Sequence, residues 1–66
     1  MTVGEIKELA KSHGFTIEHV WELAASRFSF SQHYTILKAK DRNNIPVWGE
    51  DLEDLYNNVK DELTRI

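Results

Sequence analysis

Apolar residues recur at helical spacing near both ends of the chain. The first pattern starts behind Thr2 and Glu5, which have the spacing of a capping box, and it consists of Val3, Ile6, Leu9 and Ala10. The second is longer and gives one continuous apolar face, formed by Leu52, Leu55, Tyr56, Val59, Leu63 and Ile66. Glu50 and Asp51 put favourable negative charge at the start of that segment. We predict helices at about residues 3–13 and 50–65.

Residues 14–28 predict another helix close behind the first. Gly14 suits the left-handed backbone conformation that often ends a helix. Thr16 can cap the start of a following helix, and Glu18 would lie near the positive N-terminal end of that helix. Helical spacing continues in an apolar series that contains Ile17, Val20, Trp21, Ala24 and Phe28. We predict a second helix at about residues 17–27, so that the first two helices form a pair joined by a short turn.

Residues 34–48 have the composition of a β-hairpin. Residues 34–40 are enriched in strand formers, residues 41–44 supply turn residues, and residues 45–48 make a short return strand. Pro46 confines that return strand to a sheet edge or a bulge, because proline has no N–H to donate. The predicted fold is therefore α+β, with the order α-α-β-β-α in a single domain over residues 1–66.

Composition narrows the class of protein. With 66 residues, the chain has room for one hydrophobic core. The absence of cysteine excludes disulfides and thiolate metal sites, and it agrees with a reducing compartment. The sequence starts without the pattern of a secretory leader, and no apolar run approaches the roughly 18 residues that a membrane span needs. We therefore expect a cytoplasmic protein that makes no membrane contact.

Charge is unevenly distributed along the chain. The total is −3, but residues 26–49 have a net charge of +3 from four basic residues and one acidic residue: Arg27, Lys38, Lys40, Arg42 and Asp41. The two lysines alternate along the predicted strand and the second arginine projects from the turn, so the hairpin is the best candidate for phosphate contact. The amides of Asn43 and Asn44 can donate to phosphate as well. An alternative is that the lysines only protect an exposed edge strand from aggregation.

Two features resemble known DNA-binding proteins. Ala10, Gly14 and Val20 have the spacing of the helix-turn-helix of DNA-binding repressors, in which the alanine permits close approach of the helices and the glycine turns the chain. The hairpin and the acidic helix start behind it look like the wing and following helix of excisionase and MerR-like small DNA-binding domains. Those domains also begin with Thr-Val-x-Glu, as residues 2–5 do here.

This resemblance implies a winged helix-turn-helix that binds double-stranded DNA as an accessory or transcription-regulating factor. The second helix would enter a major groove, and the wing would lie along phosphates or in a minor groove. The residues that we expect at this interface are Thr16, Arg27, Lys38, Lys40, Arg42, Asn43 and Asn44.

The second predicted helix also supports a different function, because none of its outward positions is basic. Phosphate and guanine contacts normally come from Arg or Lys. The outward residues here are Thr16, Ile17, Glu18, Trp21, Glu22 and Ala25, and the acidic and aromatic face that they include is formed by Ile17, Glu18, Trp21 and Glu22. The alternative is a protein-binding adaptor or inhibitor, derived from a phage or mobile element, that presents this face to a basic partner. Trp21 and Trp48 could both serve as binding anchors, but we expect Trp48, near the base of the hairpin, to be in the core or partly buried.

No constellation of residues predicts catalysis or a metal site. The Glu18-His19-x-x-Glu22 pattern lacks the paired histidines of zinc proteases. Between the second predicted helix and the hairpin, Ser29, Ser31 and His33 could take part in nucleophilic chemistry, but no acidic residue is placed to orient them. We expect neither an enzyme nor a cofactor. The apolar face of the C-terminal helix either covers the helix pair within the monomer, which we favour, or forms a homodimer.

Overall fold

Three antiparallel strands lie between two helices in chain order. The structure is a computed structural model that describes residues 2–25 and 30–65. Its elements are α1 (Val3–Ser12), β1 (Val20–Ala25), β2 (Phe30–Ala39), β3 (Arg42–Gly49) and α2 (Leu52–Arg65). The predicted α+β class is confirmed. The order, however, is α-β-β-β-α rather than the predicted α-α-β-β-α.

The two terminal helices form as their local signals predict. Thr2 caps α1, and its Oγ1 accepts a hydrogen bond from the backbone N–H of Glu5 at 3.3 Å. Gly14 has φ +81°, and the backbone N–H of Phe15 donates to the carbonyl of Ala10 at 3.0 Å, as in a Schellman motif. The turn after α1 therefore depends on the conformational freedom of Gly14.

The predicted second helix at residues 17–27 is wrong, because residues 20–25 form strand β1. β1 pairs with β2 in a register that sets Val20 opposite Thr35 and Trp21 opposite Tyr34. Without this partner, one edge of β2 would lose its ladder of backbone hydrogen bonds. The apolar spacing of this stretch fits a helix locally, but pairing with the next strand of the chain overrides that preference. Arg27 and Phe28 lie outside the described residues.

The hairpin of β2 and β3 confirms the predicted strand pair. Thr35 lies opposite Val47 and Ile36 lies opposite Pro46. The strand order is β1-β2-β3, so Pro46 is on an edge strand, as predicted. β2 starts at Phe30, earlier than expected, because its first half pairs with β1.

Both helices pack on one face of the sheet, which we call the inner face. The buried core joins residues of both helices to residues of β2, β3 and the segment before β1: Ile6, Ala10, Phe15, Ile17, Leu37, Val47, Leu55, Val59 and Leu63. The apolar face of α2 therefore covers the interior of its own monomer, as we favoured, and is not free for a homodimer. In the described part of the chain, neither helix is long and apolar enough to cross a membrane.

The end of β3 and the start of α2 approach each other closely at Gly49. A Cβ atom placed on Gly49 would lie 2.6 Å from the Cα of Leu55 and 2.9 Å from its Cβ. Only glycine fits this contact without displacing backbone. The side chain of Asn58 also donates to the carbonyl of Trp48 at 2.6 Å. These contacts hold α2 against the inner face and leave the opposite side of the sheet, the outer face, free of both helices.

Candidate protein interface on the outer face of the sheet

Three aromatic side chains form a row across the outer face, one from each strand. Trp21, Tyr34 and Trp48 lie directly opposite one another in the strand register. Their ring centroids are 4.8 Å apart for Trp21 and Tyr34 and 4.6 Å apart for Tyr34 and Trp48, with interplanar angles of 15° and 23°. Directly opposed residues of antiparallel strands have Cβ atoms close enough for such stacking. We call these three residues the aromatic ladder.

Apolar side chains around the ladder are also accessible to solvent. Leu23 and Trp48 are each 48% exposed, although both are large and hydrophobic. Ile36 is half-buried and its register partner Pro46 is exposed. Residues at alternate positions of a strand share one face, so these side chains and the ladder belong to the same surface. The outer face is thus an apolar and aromatic patch on the side that neither helix covers.

Charge is found at the margin of the outer face rather than at its centre. Lys38 Nζ donates to Glu18 Oε2 at 3.0 Å. The two opposite charges compensate each other, so this pair adds no net charge at the margin of the outer face. His19 packs edge-on against Trp21, with ring centroids 5.0 Å apart at 72°. The centre of this face therefore consists of aromatic and aliphatic groups.

Two of the basic residues predicted to contact DNA, Lys40 and Arg42, lie at the hairpin tip, which comprises residues 40–44. Lys40, Arg42, Asn43 and Asn44 are all exposed there, with Asp41 between the two basic side chains. The guanidinium carbon of Arg42 lies 6.0 Å from the centroid of the Phe15 ring, at the outer limit of a cation–π contact. The tip is a small basic projection with one acidic residue within it.

The structure divides the predicted DNA-binding residues into two groups. The hairpin tip brings together Lys40, Arg42, Asn43 and Asn44. Thr16 and Lys38 meet at a separate β-bridge, in which the N–H of Thr16 donates to the carbonyl of Lys38 at 2.8 Å. Arg27 lies outside the described residues. The helix that was expected to read the major groove has no counterpart among the described residues, because that segment is β1.

The predicted protein-binding face is also divided. It was defined as one face of a helix, but successive side chains of a strand point to opposite faces of the sheet. Ile17, expected to be exposed, is only 8% exposed and belongs to the core. Glu22 lies opposite His33 on the inner side of the sheet, with 3.9 Å between its Oε2 and the Nε2 of His33. Trp21 and Glu18 remain on the outer side. Trp48, expected in the core or partly buried, is outside the core and 48% exposed beside them.

Sequence reasoning missed the outer face as a site. Tyr34, Leu23 and Trp48 all belong to it, but the first two were not candidates and Trp48 was expected to pack rather than bind. The available signal was alternation, because Trp21 and Leu23 are two positions apart, as are Pro46 and Trp48. That signal becomes useful only when the register across three strands is known.

Within residues 2–25 and 30–65, no three or more His, Asp or Glu side chains are grouped closely enough to hold a metal ion. The Glu18-His19-x-x-Glu22 pattern is dispersed, because His19 packs on Trp21 and Glu22 lies on the other side of β1.

No protein-family model, curated protein or solved structure matches the chain. The resemblance to excisionase and MerR-like domains stays a prediction. The outer face of the sheet and the hairpin tip are the surfaces that indicate a function.

Proposed function

We propose that this protein is a binding module that docks another protein through the outer face of its sheet. The observation that carries the proposal is the aromatic ladder, which stands on the side opposite both helices with Trp48 and Leu23 each 48% exposed. Centres of protein interfaces are enriched in aromatic residues and depleted of charge, and this face has both properties. A chain of 66 residues needs its large apolar side chains for folding, so their exposure calls for a partner.

The stacking geometry favours a protein over a single-stranded nucleic acid. A base binds an aromatic platform by covering a free ring face, with cations nearby for the phosphates. Both faces of the Tyr34 ring are covered here by Trp21 and Trp48. Lys38, the cation beside this surface, is already paired with Glu18. The central ring of the ladder therefore has no free face on which a base could stack.

A second candidate function is contact with double-stranded DNA through the hairpin tip. The observation that favours it is the exposure of Lys40, Arg42 and Asn43 at the end of a projecting hairpin, which is the position of a wing. Such contacts would be made to phosphates, so binding would be weak and would decrease steeply as salt is added. A role as an excisionase-like or transcription-regulating factor in the cytoplasm would follow only from such binding.

Two pairs of substitutions separate these functions. Leu23→Ser with Trp48→Ser alters the outer face, and Lys40→Ala with Arg42→Ala alters the tip. Tagged wild-type and variant proteins are incubated with lysate of the source cells, with and without nuclease. We expect the wild type and the tip variant to capture a protein that the outer-face variant does not capture. Nuclease treatment should not reduce this capture. Circular dichroism must show that both variants keep the wild-type fold.

The opposite pattern would favour DNA. If capture is abolished by nuclease or by the tip variant, and the outer-face variant behaves as the wild type, the proposal is wrong. Titration of duplex DNA at about 50 mM salt supplies the direct measurement, because phosphate contacts are strongest at low ionic strength. Under our proposal, the wild type and the tip variant are indistinguishable in that titration.

A further inference from the structure

We infer that the partner of the outer face is a second copy of this chain, in a two-fold symmetric dimer that packs sheet against sheet. The inference rests on the proposed function, because it names the occupant of the same surface. Three properties of the described residues support it: the symmetry of the aromatic ladder, the position of the charges, and the area of the sheet.

The ladder is compatible with two-fold symmetry. Tyr34 is on the middle strand, with Trp21 on one side and Trp48 on the other. A two-fold axis that lies in the interface and runs along this row places each ring of one copy opposite the same ring of the other copy. In a symmetric dimer the same patch contributes both sides of the interface, so the patch must complement itself. Two sheets pack about 10 Å apart, a space that rings from both copies can fill.

Charge also favours a second copy at this face. In a symmetric interface like charges face like charges, which costs free energy, and a patch with an uncharged centre avoids that cost. The charged pair at the margin, Glu18 and Lys38, is neutral as a unit. The whole chain carries −3, so copies repel each other over most of the surface. On the outer face this repulsion is weakest, and the burial of apolar surface there gives the largest favourable free energy.

The available area suggests a weak, reversible dimer. Three strands at about 4.8 Å spacing, with about eight residues of about 3.4 Å each, give a flat area of roughly 400 Å² per copy. The accessible area of the two side-chain surfaces together is therefore on the order of 1,000 Å², at the lower end of specific interfaces. We expect a dissociation constant on the order of tens of micromolar.

The distribution of charge along the strands selects one orientation. The ends of both helices and the hairpin tip meet at one end of the molecule, where His13, Arg42 and Leu63 line one depression. That end holds four of the eight basic side chains, Lys11, Lys40, Arg42 and Arg65, together with three acidic ones, Asp41, Asp61 and Glu62, the last of which pairs with Arg65. Acidic side chains gather at the other end, at the helix starts: Glu5, Glu50, Asp51, Glu53 and Asp54. A two-fold axis that lies in the interface plane, perpendicular to the strands, makes the strands of the two copies antiparallel. The basic end of each copy then lies beside the acidic end of its partner.

Analytical ultracentrifugation of the full chain tests the dimer. For the wild type, we expect the mass to rise from one copy to two as the concentration passes from about 1 µM to about 1 mM. Leu23→Ser with Trp48→Ser should weaken association at least about tenfold. Val3→Ser is the matched control, since it makes a similar apolar-to-hydroxyl change on α1, away from the outer face, and should leave the dissociation constant unchanged.

The outcomes separate the two proposals. A wild type that stays monomeric, while another protein is still captured through the outer face, overturns the second copy and leaves the binding module standing. A monomer that also shows no capture dependent on the outer face overturns both. A dimer that the outer-face variant does not weaken overturns the inference, because the copies then meet elsewhere.

Orientation has its own measurement. The chain has no cysteine, so Asn43→Cys provides a single attachment site for a spin label at the hairpin tip. In the antiparallel dimer the two labels should be about 35–40 Å apart, since each tip is about six strand residues from the axis. A distance under about 20 Å would show that the tips lie side by side across packed sheets, and would overturn the antiparallel arrangement.

Discussion

The two faces of the sheet are made by alternate residues of the same strands, yet they differ sharply in what covers them. Val47 on the inner face is 4% exposed, while its neighbour Trp48 on the outer face is 48% exposed. The inner face is covered by α1 and α2, and the outer face carries larger rings that neither helix covers. The comparison teaches that folding and binding use different sides of one sheet. Side chains on the inner face should determine stability, and those on the outer face should determine association.

The largest expected effect separates neighbouring positions on β2. Leu37→Ala removes a fully buried side chain and leaves a cavity, so we expect a loss of about 3 kcal/mol in the free energy of unfolding. Ile36→Ala, on the outer face, should lose about 1 kcal/mol or less, because its side chain is only partly buried. Urea denaturation followed by circular dichroism measures both. Equal losses would break the distinction between the faces.

The next effect tests how α2 is held on the inner face. Gly49→Ala places a methyl group against the backbone of Leu55 and should destabilise the protein by about 2 kcal/mol. Gly4→Ala is the control, because its Cβ would have only Thr2 Oγ1 nearby, at 3.7 Å. Alanine should be neutral or slightly stabilising there. Thermal unfolding of the two variants gives the comparison. If both behave alike, the close approach of β3 and α2 is wrong.

A smaller effect concerns the polar contact that joins β2 to the segment before β1. The buried Thr35 hydroxyl donates to the carbonyl of His19 at 2.7 Å. Thr35→Val removes that donor, and we expect a loss of about 1–2 kcal/mol. Thr64→Val, which removes an exposed hydroxyl that donates to the carbonyl of Asp61, should change stability by less than about 0.5 kcal/mol. Chemical denaturation under identical conditions decides whether burial causes the difference.

The smallest expected effect is at the margin of the outer face. Glu18→Gln removes the charge that pairs with Lys38, but both side chains are substantially exposed to water. Such pairs contribute about 0–1 kcal/mol, so the free energy of unfolding should change by less than about 0.5 kcal/mol. A decrease of more than about 2 kcal/mol in the free energy of unfolding would mean that this ion pair stabilises the fold, as a buried pair would.

The elements that could be predicted are those with signals inside their own segment. The cap at Thr2, the left-handed turn at Gly14 and the apolar face from Leu55 to Leu63 all act within a few residues of one another. β1 could not be predicted in this way, because Val20 and Trp21 fit helical spacing as well as strand alternation. Pairing with β2, 10 or more positions away, decided between them.

The candidate site was missed for the same reason. Trp48 is large and apolar, so core packing was the natural expectation in a small chain. Its exposure follows from the side of the sheet on which α1 and α2 pack, which is a property of the whole fold. Lys38 and Lys40 look alike in the sequence, but only Lys38 meets Glu18. Long-range contacts determine which groups are free.

The most direct test of the outer face as a docking surface is a dilution series of the 15N-labelled protein by NMR. Trp21 and Trp48 are the two tryptophans of the chain, and both belong to the aromatic ladder, so their indole N–H signals report on this surface alone. We predict that both signals shift as the protein is concentrated, while the backbone amide of Leu37 on the inner face changes little. Indole signals that stay constant would overturn the second copy as the partner of this surface, and shifts confined to Lys40 and Arg42 at the tip would contradict the outer face as the surface of contact.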